Sequence, residues 1–367
     1  MSVQRIDLPR WHGGMIVMDR PMHRILILRL SAVGDTILSM PIACALRRAL
    51  PSVSIGWVVA SGASTLLEGH DCIDDLFVLD KKDQQSMGAY LRFLHRVRAW
   101  RPDVVIDAQG LTKSSWIGWC SGASTRIGHQ PSEFEGRELS RWLNNRRVEP
   151  QSQHVVQRGL ELLRPLGIDT TEVEYRVPSF PIESATVERQ RQELDLGNAW
   201  ATINVGAGWP SKLWPAERYA EVAKHLHHRW NLKSLIAWGG NQEWEFAKQL
   251  AGLAPNATVL APKTSLRELT EWIRRTVLFI GSDTGPMHLA VALDIPTVGI
   301  IGPMPVERVG PWGSKHASVQ NERLPLTAVH ERKTNCGPML SIQASSVTNA
   351  CDRVLNNTPP CVTRCVA

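Results

Sequence analysis

Three short segments hold residue types that could do chemistry. The first, Gly281–Leu293, reads GSDTGPMHLAVAL. An apolar strand ending at Gly281-Ser282 runs almost at once into a helix. Pro286 suits a first helical position, where its missing N–H costs nothing, and Asp283 and Thr284 precede it as capping candidates. The N–H groups of a first helical turn, together with the positive end of the helix dipole, form a natural seat for phosphate. Gly285 would allow close approach, and His288 lies on the same turn. An ordinary strand–turn–helix with a capped start competes with this reading, and the segment alone does not separate the two.

The second segment, Gly206–Pro215, reads GAGWPSKLWP and again follows a strand. Its glycines permit backbone approach to a ligand, and Lys212 offers a mobile point charge for a diphosphate; a solvated loop lysine is the alternative. The third, Ser31–Asp35 (SAVGD), ends the first strand. Gly34 suits a tight turn there. Asp35 could deprotonate an attacking hydroxyl or cap a helix beginning at Thr36. Neither G-x-G-x-x-G after the first strand nor G-x-x-x-x-G-K-[ST] is present, which argues against dehydrogenases and P-loop enzymes. No H-E-x-x-H cluster or D-x-D metal motif occurs; Asp71, Asp74 and Asp75 have the wrong spacing.

The elements that must carry these segments alternate along the chain, short apolar run then amphipathic helix, the pattern of α/β architecture with parallel sheets. Strands are expected over Arg24–Leu30, Ile55–Val59, Leu76–Leu79 and Val104–Asp107, then Ala201–Val205, Ser234–Trp238, Leu278–Ser282 and Thr297–Ile301. Helices are expected over Thr36–Ala49 and Tyr90–Trp100, and again over Ala216–Arg229, Trp244–Ala251, Leu266–Arg275 and Pro286–Leu293. A proline-containing linker at Arg176–Glu183 divides 367 residues into two Rossmann-like domains, 23–178 and 179–355, with an N-terminal extension at 1–22 and a tail at 356–367. Open sheets of this kind place ligands at the C-terminal ends of their strands, here in the cleft expected between the domains.

Composition bounds the function. Hydrophobic residues make up 43% and charged residues 21%, the balance of a globular enzyme. No apolar run reaches the roughly 18–20 residues needed to span a bilayer, and Met1–Pro21 lacks a signal peptide's apolar centre, so a cytoplasmic location is expected. The net charge of +6 suits an anionic substrate or membrane surface, while no nucleic-acid-binding motif occurs. Seven cysteines without zinc-ligand spacing read as free thiols. Fourteen tryptophans are many for this length, and nothing in their spacing accounts for them.

Taken together, the segments resemble glycosyltransferase family 9, the heptosyltransferases of lipopolysaccharide core assembly. The resemblance covers roughly residues 23–355 and is carried by SAVGDTILSMP (Ser31–Pro41), GAxxxxKxWP (Gly206–Pro215) and the Gly281–Leu293 block. The stretch IDAQGLTKS (Ile106–Ser114), followed by Arg137-Glu138 and Asn145-Arg146-Arg147, is similar to the heptosyltransferase I branch.

That resemblance implies a GT-B fold and an inverting, metal-independent transfer of heptose from ADP-heptose to a Kdo sugar of lipid A, with no cofactor. It implies that Asp35 is the catalytic base and that Lys212 steadies the departing diphosphate. It places Ala207, Gly208, Asp283, Thr284, Gly285 and His288 around the donor phosphates, Glu243 on the ribose and Thr264 in the adenine pocket. Gln109, Lys113 and Arg137 would face the anionic acceptor. The implied partners are the nucleotide sugar, the lipid-linked acceptor and the cytoplasmic face of the inner membrane. Two positions depart from the pattern. A hydroxyl pair that relatives can carry is Ala207-Gly208 here, so phosphate contact would fall to backbone N–H groups, and Thr264 stands where an apolar residue is expected. The rival readings are another donor or acceptor within the family, a silent nucleotide-sugar-binding module, and an epimerase of the UDP-N-acetylglucosamine 2-epimerase kind.

Overall fold

The computed structural model describes residues 22–132, 136–324 and 331–357. The tail beyond Asn357, with Cys361 and Cys365, and the extension before Pro21 lie outside them, as does Pro21 itself. The chain divides into two compact units, Met1–Pro178 and Ser179–Ala367.

The N-terminal unit is built on six parallel strands: β1 (Arg24–Leu28), β2 (Ser54–Ala60), β3 (Asp75–Leu79), β4 (Val104–Asp107), β5 (Thr125–His129) and β6 (Arg146–Val148). Their order is β3-β2-β1-β4-β5-β6. In β1, Ile25 through Leu28 are fully buried, because a parallel sheet is covered on both faces and its strands read as continuous apolar runs. Ile25 pairs with Ile55 on one side and Val104 on the other. The C-terminal unit repeats the plan with β7 (Trp200–Asn204), β8 (Lys233–Ala237), β9 (Thr258–Leu260), β10 (Leu278–Ser282), β11 (Thr297–Ile300) and β12 (Ala317–Val319), ordered β12-β11-β10-β7-β8-β9.

In each sheet the first strand lies in the middle. The chain winds outward from it in one direction, then returns and winds the other way. The winding reverses between β1 and β4 and between β7 and β10, and the loops leaving the C-terminal ends of such neighbours diverge to leave a crevice.

All eight expected strands form, with ends shifted by no more than two residues. Strands β5, β6, β9 and β12 were not expected. The first helix begins earlier than expected, at Val33 instead of Thr36. The expected linker is also too long: Pro181 opens the helix Pro181–Glu193 from its first turn, where proline's fixed φ is an asset.

Four tryptophans explain part of that residue's abundance. Trp57, Trp200, Trp214 and Trp272 are fully buried. Trp200 meets Trp272 edge-on at 5.8 Å, and Trp214 meets Tyr219 edge-on at 4.8 Å, the geometry that ring quadrupoles favour. No described helix is long and apolar enough to cross a membrane.

Candidate active site

Both crevices hold the segments singled out from sequence. In the N-terminal unit, Asp35 is the third residue of the helix Val33–Ala49, and its Oδ2 accepts from Ala32 N at 3.1 Å. It therefore does not cap a helix at Thr36 as its position suggested: it reaches back from the first turn to the residue in the cap position. Gly34, expected in a tight turn, is the second residue of the same helix. The other Asp35 oxygen is held by Arg29 at 2.7 Å, and the carboxylate stays 43% exposed while Arg29 is largely covered. Arg29 also donates to Ala108 O at 2.6 Å, which ties the end of β1 to the loop after β4.

That loop hangs on Asp107. Its fully buried carboxylate accepts from Gly110 N at 2.9 Å, Asn144 Nδ2 at 3.0 Å and Ser115 Oγ. Gln109 spends its side-chain oxygen on Leu30 N at 2.8 Å. Arg137 is drawn to the same turn by its backbone N–H, which donates to Gly110 O at 3.1 Å. Lys113 lies on the exposed side of the following helix, donates to Gln84 Oε1, and has its pKa lowered by partial burial. The first switch point thus gathers Asp35, Arg29 and Gln109, with Arg137 and Lys113 on the adjoining elements. Sequence reading passed over Arg29 and Asp107. The available signal was a charged residue at the end of an apolar run, once just after β1 and once as the last residue of β4.

In the C-terminal unit, Lys212 follows β7 and Asp283 follows β10. The Lys212 ammonium donates to Asp283 Oδ2 at 2.6 Å and to Asp283 O at 2.9 Å, so it is held in place instead of waving as a mobile charge. His288 Nε2 contacts the other carboxylate oxygen at 3.1 Å. Burial alone would raise the Asp283 pKa, but Lys212 and His288 outweigh it and hold the carboxyl below the ordinary aspartate range. Ser282 Oγ donates to Lys212 O at 2.7 Å and fixes the loop. The Trp209 ring lies 4.8 Å from Lys212 Nζ and 5.5 Å from Lys333 Nζ.

The helix Gly285–Ala292 starts at this point. Thr284 occupies its cap position, yet no side chain caps the first turn, so neither Asp283 nor Thr284 does what its type suggested. Thr284 Oγ1 donates backwards to Ser282 O at 3.2 Å. The positive end of this helix meets the half-buried surface at Thr284, Gly285 and Pro286, where the first-turn amides of Gly285 and Met287 can take an anion.

Glu243 lies in the first turn of the helix Asn241–Leu253 and accepts from Gly239 N at 2.6 Å. Its carboxylate presses on Gly206, where an added Cβ would come within 2.5 Å of both oxygens. A side chain at position 206 would therefore have to displace the Glu243 carboxylate, whereas a Cβ on Gly208 would meet nothing within 4 Å. Ala207 is half-buried beside it, and Thr264 is half-buried just before the Ser265-capped helix Leu266–Arg274. Among the described residues, no cluster of three or more His, Cys, Asp or Glu could hold a metal.

A family model described as "Glycosyltransferase family 9 (heptosyltransferase)" matches residues 90–337. Lipopolysaccharide heptosyltransferase 1 of Pseudomonas aeruginosa is 28% identical over 298 residues, covering 79% of this chain and 81% of that protein. The crystal structure of a family 9 glycosyl transferase from Veillonella parvula superimposes with a TM-score of 0.82 at 22% identity, covering 93% of this chain and 99% of the other. The E. coli heptosyltransferase WaaC with ADP gives 0.67 at 23% identity, covering 90% and 97%. These two structures share the fold.

Proposed function

The chain belongs to glycosyltransferase family 9 and is a glycosyltransferase; we propose that it moves L-glycero-D-manno-heptose from ADP-heptose to a Kdo residue of the lipopolysaccharide inner core, inverting the anomeric centre without a metal. The observation that carries this reading is the division of chemistry between the switch points: a half-exposed carboxylate at one, and a lysine beside an uncapped helix N-terminus at the other. The name of the P. aeruginosa relative supports the heptose and the lipopolysaccharide, and the ADP held by the E. coli enzyme supports the nucleotide.

In this reaction an acceptor hydroxyl oxygen attacks the anomeric carbon of the donor. Asp35 takes the hydroxyl proton, and Arg29 keeps one carboxylate oxygen fixed so that the carboxylate presents a defined face. As the bond from the anomeric carbon to phosphate oxygen breaks, its electron pair goes to the β-phosphate of ADP. Lys212 and the amides of Gly285 and Met287 stabilise that charge where it develops. A single displacement with one base inverts the centre and needs no covalent glycosyl-enzyme. Lys113 and Arg137 hold the carboxylate of Kdo, and Glu243 accepts from the ribose hydroxyls.

The test combines calorimetry with ADP, UDP and GDP and a transfer assay with ADP-heptose and Kdo₂-lipid A, with and without EDTA. ADP should bind tightest, and transfer should survive chelation. Tighter binding of UDP or GDP would point to another donor, and a strict Mg²⁺ or Mn²⁺ requirement would remove the metal-free mechanism.

A further inference from the structure

Six large apolar side chains stand exposed among the described residues of the N-terminal unit: Met87, Leu91, Trp116, Trp119, Leu139 and Trp142. All six lie on three helices that pack side by side, Met87–Ala99, Thr112–Cys120 and Ser140–Leu143 with the Leu139 that precedes it. On the middle helix the outward stripe is Lys113, Trp116 and Trp119, while Ser114, Ser115, Ile117 and Gly118 face the core. The Trp116 and Trp119 rings stack at 5.2 Å, and the Arg141 guanidinium lies 4.0 Å from the Trp142 ring centre. Trp142 is 65% exposed and Met87 76%, so these side chains are not the rim of a buried core. An apolar patch of this kind on a soluble surface marks a contact face.

Charge selects the partner. The same three helices carry Arg92, Arg96, Arg98, Lys113 and Arg141 and not one Asp or Glu. Among the described residues, two carboxylates that flank these helices in sequence are engaged by backbone N–H groups: Glu138 accepts from Thr112 N at 3.0 Å, and Asp83 from Asp80 N at 3.3 Å. A second copy meeting this face through a two-fold axis would set arginine against arginine. An anionic bilayer answers both features at once, since indole rings settle at headgroup level and arginines meet the lipid phosphates. Two of the three helices are also tied together: Leu139 N donates to Thr112 Oγ1 at 3.3 Å and Asn144 Nδ2 to Ser115 Oγ at 3.3 Å.

We propose that the helices Met87–Ala99, Thr112–Cys120 and Ser140–Leu143 form a docking face for an anionic phospholipid bilayer, with Trp116, Trp119 and Trp142 inserted at headgroup depth. What the docking is for rests on the function proposed above. Lys113 sits one turn before Trp116 on the same stripe, so the face that meets the membrane runs into the residues assigned to a membrane-borne acceptor.

The experiment is flotation of the full chain with phosphatidylcholine vesicles and with vesicles that also contain phosphatidylglycerol, at low and high salt. The wild type should float with the phosphatidylglycerol vesicles, with its tryptophan emission shifted to the blue. The triple variant Trp116→Ser/Trp119→Ser/Trp142→Ser should lose about tenfold or more in vesicle affinity, since each lost ring withdraws apolar area from the interface. Its melting temperature and its turnover of a soluble, lipid-free acceptor should stay at wild-type values. A second variant, Arg92→Gln/Arg96→Gln/Arg141→Gln, should weaken binding to the anionic vesicles and flatten its salt dependence. Wild-type-like flotation of the tryptophan variant would overturn the proposal, as would a wild type that ignores phosphatidylglycerol. A concentration-dependent dimer abolished by the same substitutions would give the face to a second copy instead. If the wild type floats but transfers no heptose to a soluble acceptor, the proposed activity fails and the docking face stands.

Discussion

The C-terminal ends of β4 and β10 occupy equivalent places in sheets of the same strand order, and each carries a buried carboxylate, Asp107 as the last residue of β4 and Asp283 just after β10. Asp107 is surrounded by neutral donors, namely a backbone N–H, an asparagine amide and a serine hydroxyl. Asp283 is surrounded by a lysine ammonium and a histidine ring. The first set is fixed by the fold and has nothing to exchange, so it pins a loop. The second includes a cation that an incoming anion can also use, so in the proposed function the same kind of buried group serves a site. The first strands differ in the complementary way. The helix that follows β1 offers a carboxylate to solvent from its first turn, and the segment after β7 carries a lysine. One topology used twice supplies two crevices, and in the proposed function the sign of the available charge decides what each is for.

The sharpest way to break this comparison is to neutralise the exposed carboxylate. Asp35→Asn should lower kcat by about 10²–10⁴-fold, the usual worth of a positioned base, while calorimetry finds ADP affinity within a few-fold of wild type. Turnover that survives would remove Asp35 from the mechanism. Next, Lys212→Met should lower kcat by about 10²–10³-fold. It should also lower the melting temperature, because Asp283 would keep a buried charge with only His288 beside it. A kinetic loss with no thermal loss would mean that the Lys212–Asp283 pair contributes nothing to folding.

A smaller effect separates two neighbouring glycines. Gly206→Ala must push the Glu243 carboxylate aside and should weaken ADP binding by about tenfold, the worth of one or two hydrogen bonds; Gly208→Ala, in open space, should change it little. Equal losses would show that Glu243 is not the reason for the first. The smallest effect is a matter of pH. The folded Asp283 carboxyl is held below its usual value of about 3.9, so its contribution is fully present above that value and is lost as pH falls through the lower, folded one. In urea unfolding, Asp283→Asn should be less stable than wild type near neutrality, and the gap should narrow below about pH 4. A gap independent of pH would deny that the charge of Asp283 matters to stability.

The central strands were legible because a run such as Ile25–Leu28 has to be covered on both faces. Strand β6 could not be read this way: two of its three residues are exposed arginines, and its pairing is imposed by its neighbour β5. The loop chemistry was only half legible. Lys212 and the Asp283 block were both visible as segments, but the bond joining them spans 71 positions and exists only because β7 and β10 are adjacent. Asp35 was readable as a carboxylate after a strand. Arg29, which orients it, looked like a strand end. The tryptophans were opaque for a related reason: composition counts them together, whereas the fold sends Trp57 to the core and Trp142 to the surface.

The Lys212–Asp283 contact has a consequence for the timing of turnover. The lysine already donates twice to an internal partner, and an ammonium has three N–H bonds. A donor can therefore be engaged by the remaining N–H before Asp283 gives anything up. On the proposed mechanism, when the spent diphosphate leaves, the lysine returns to a waiting partner and not to bare water. On that mechanism the protein would compete with its own product for this one cation, and the competition would favour letting go.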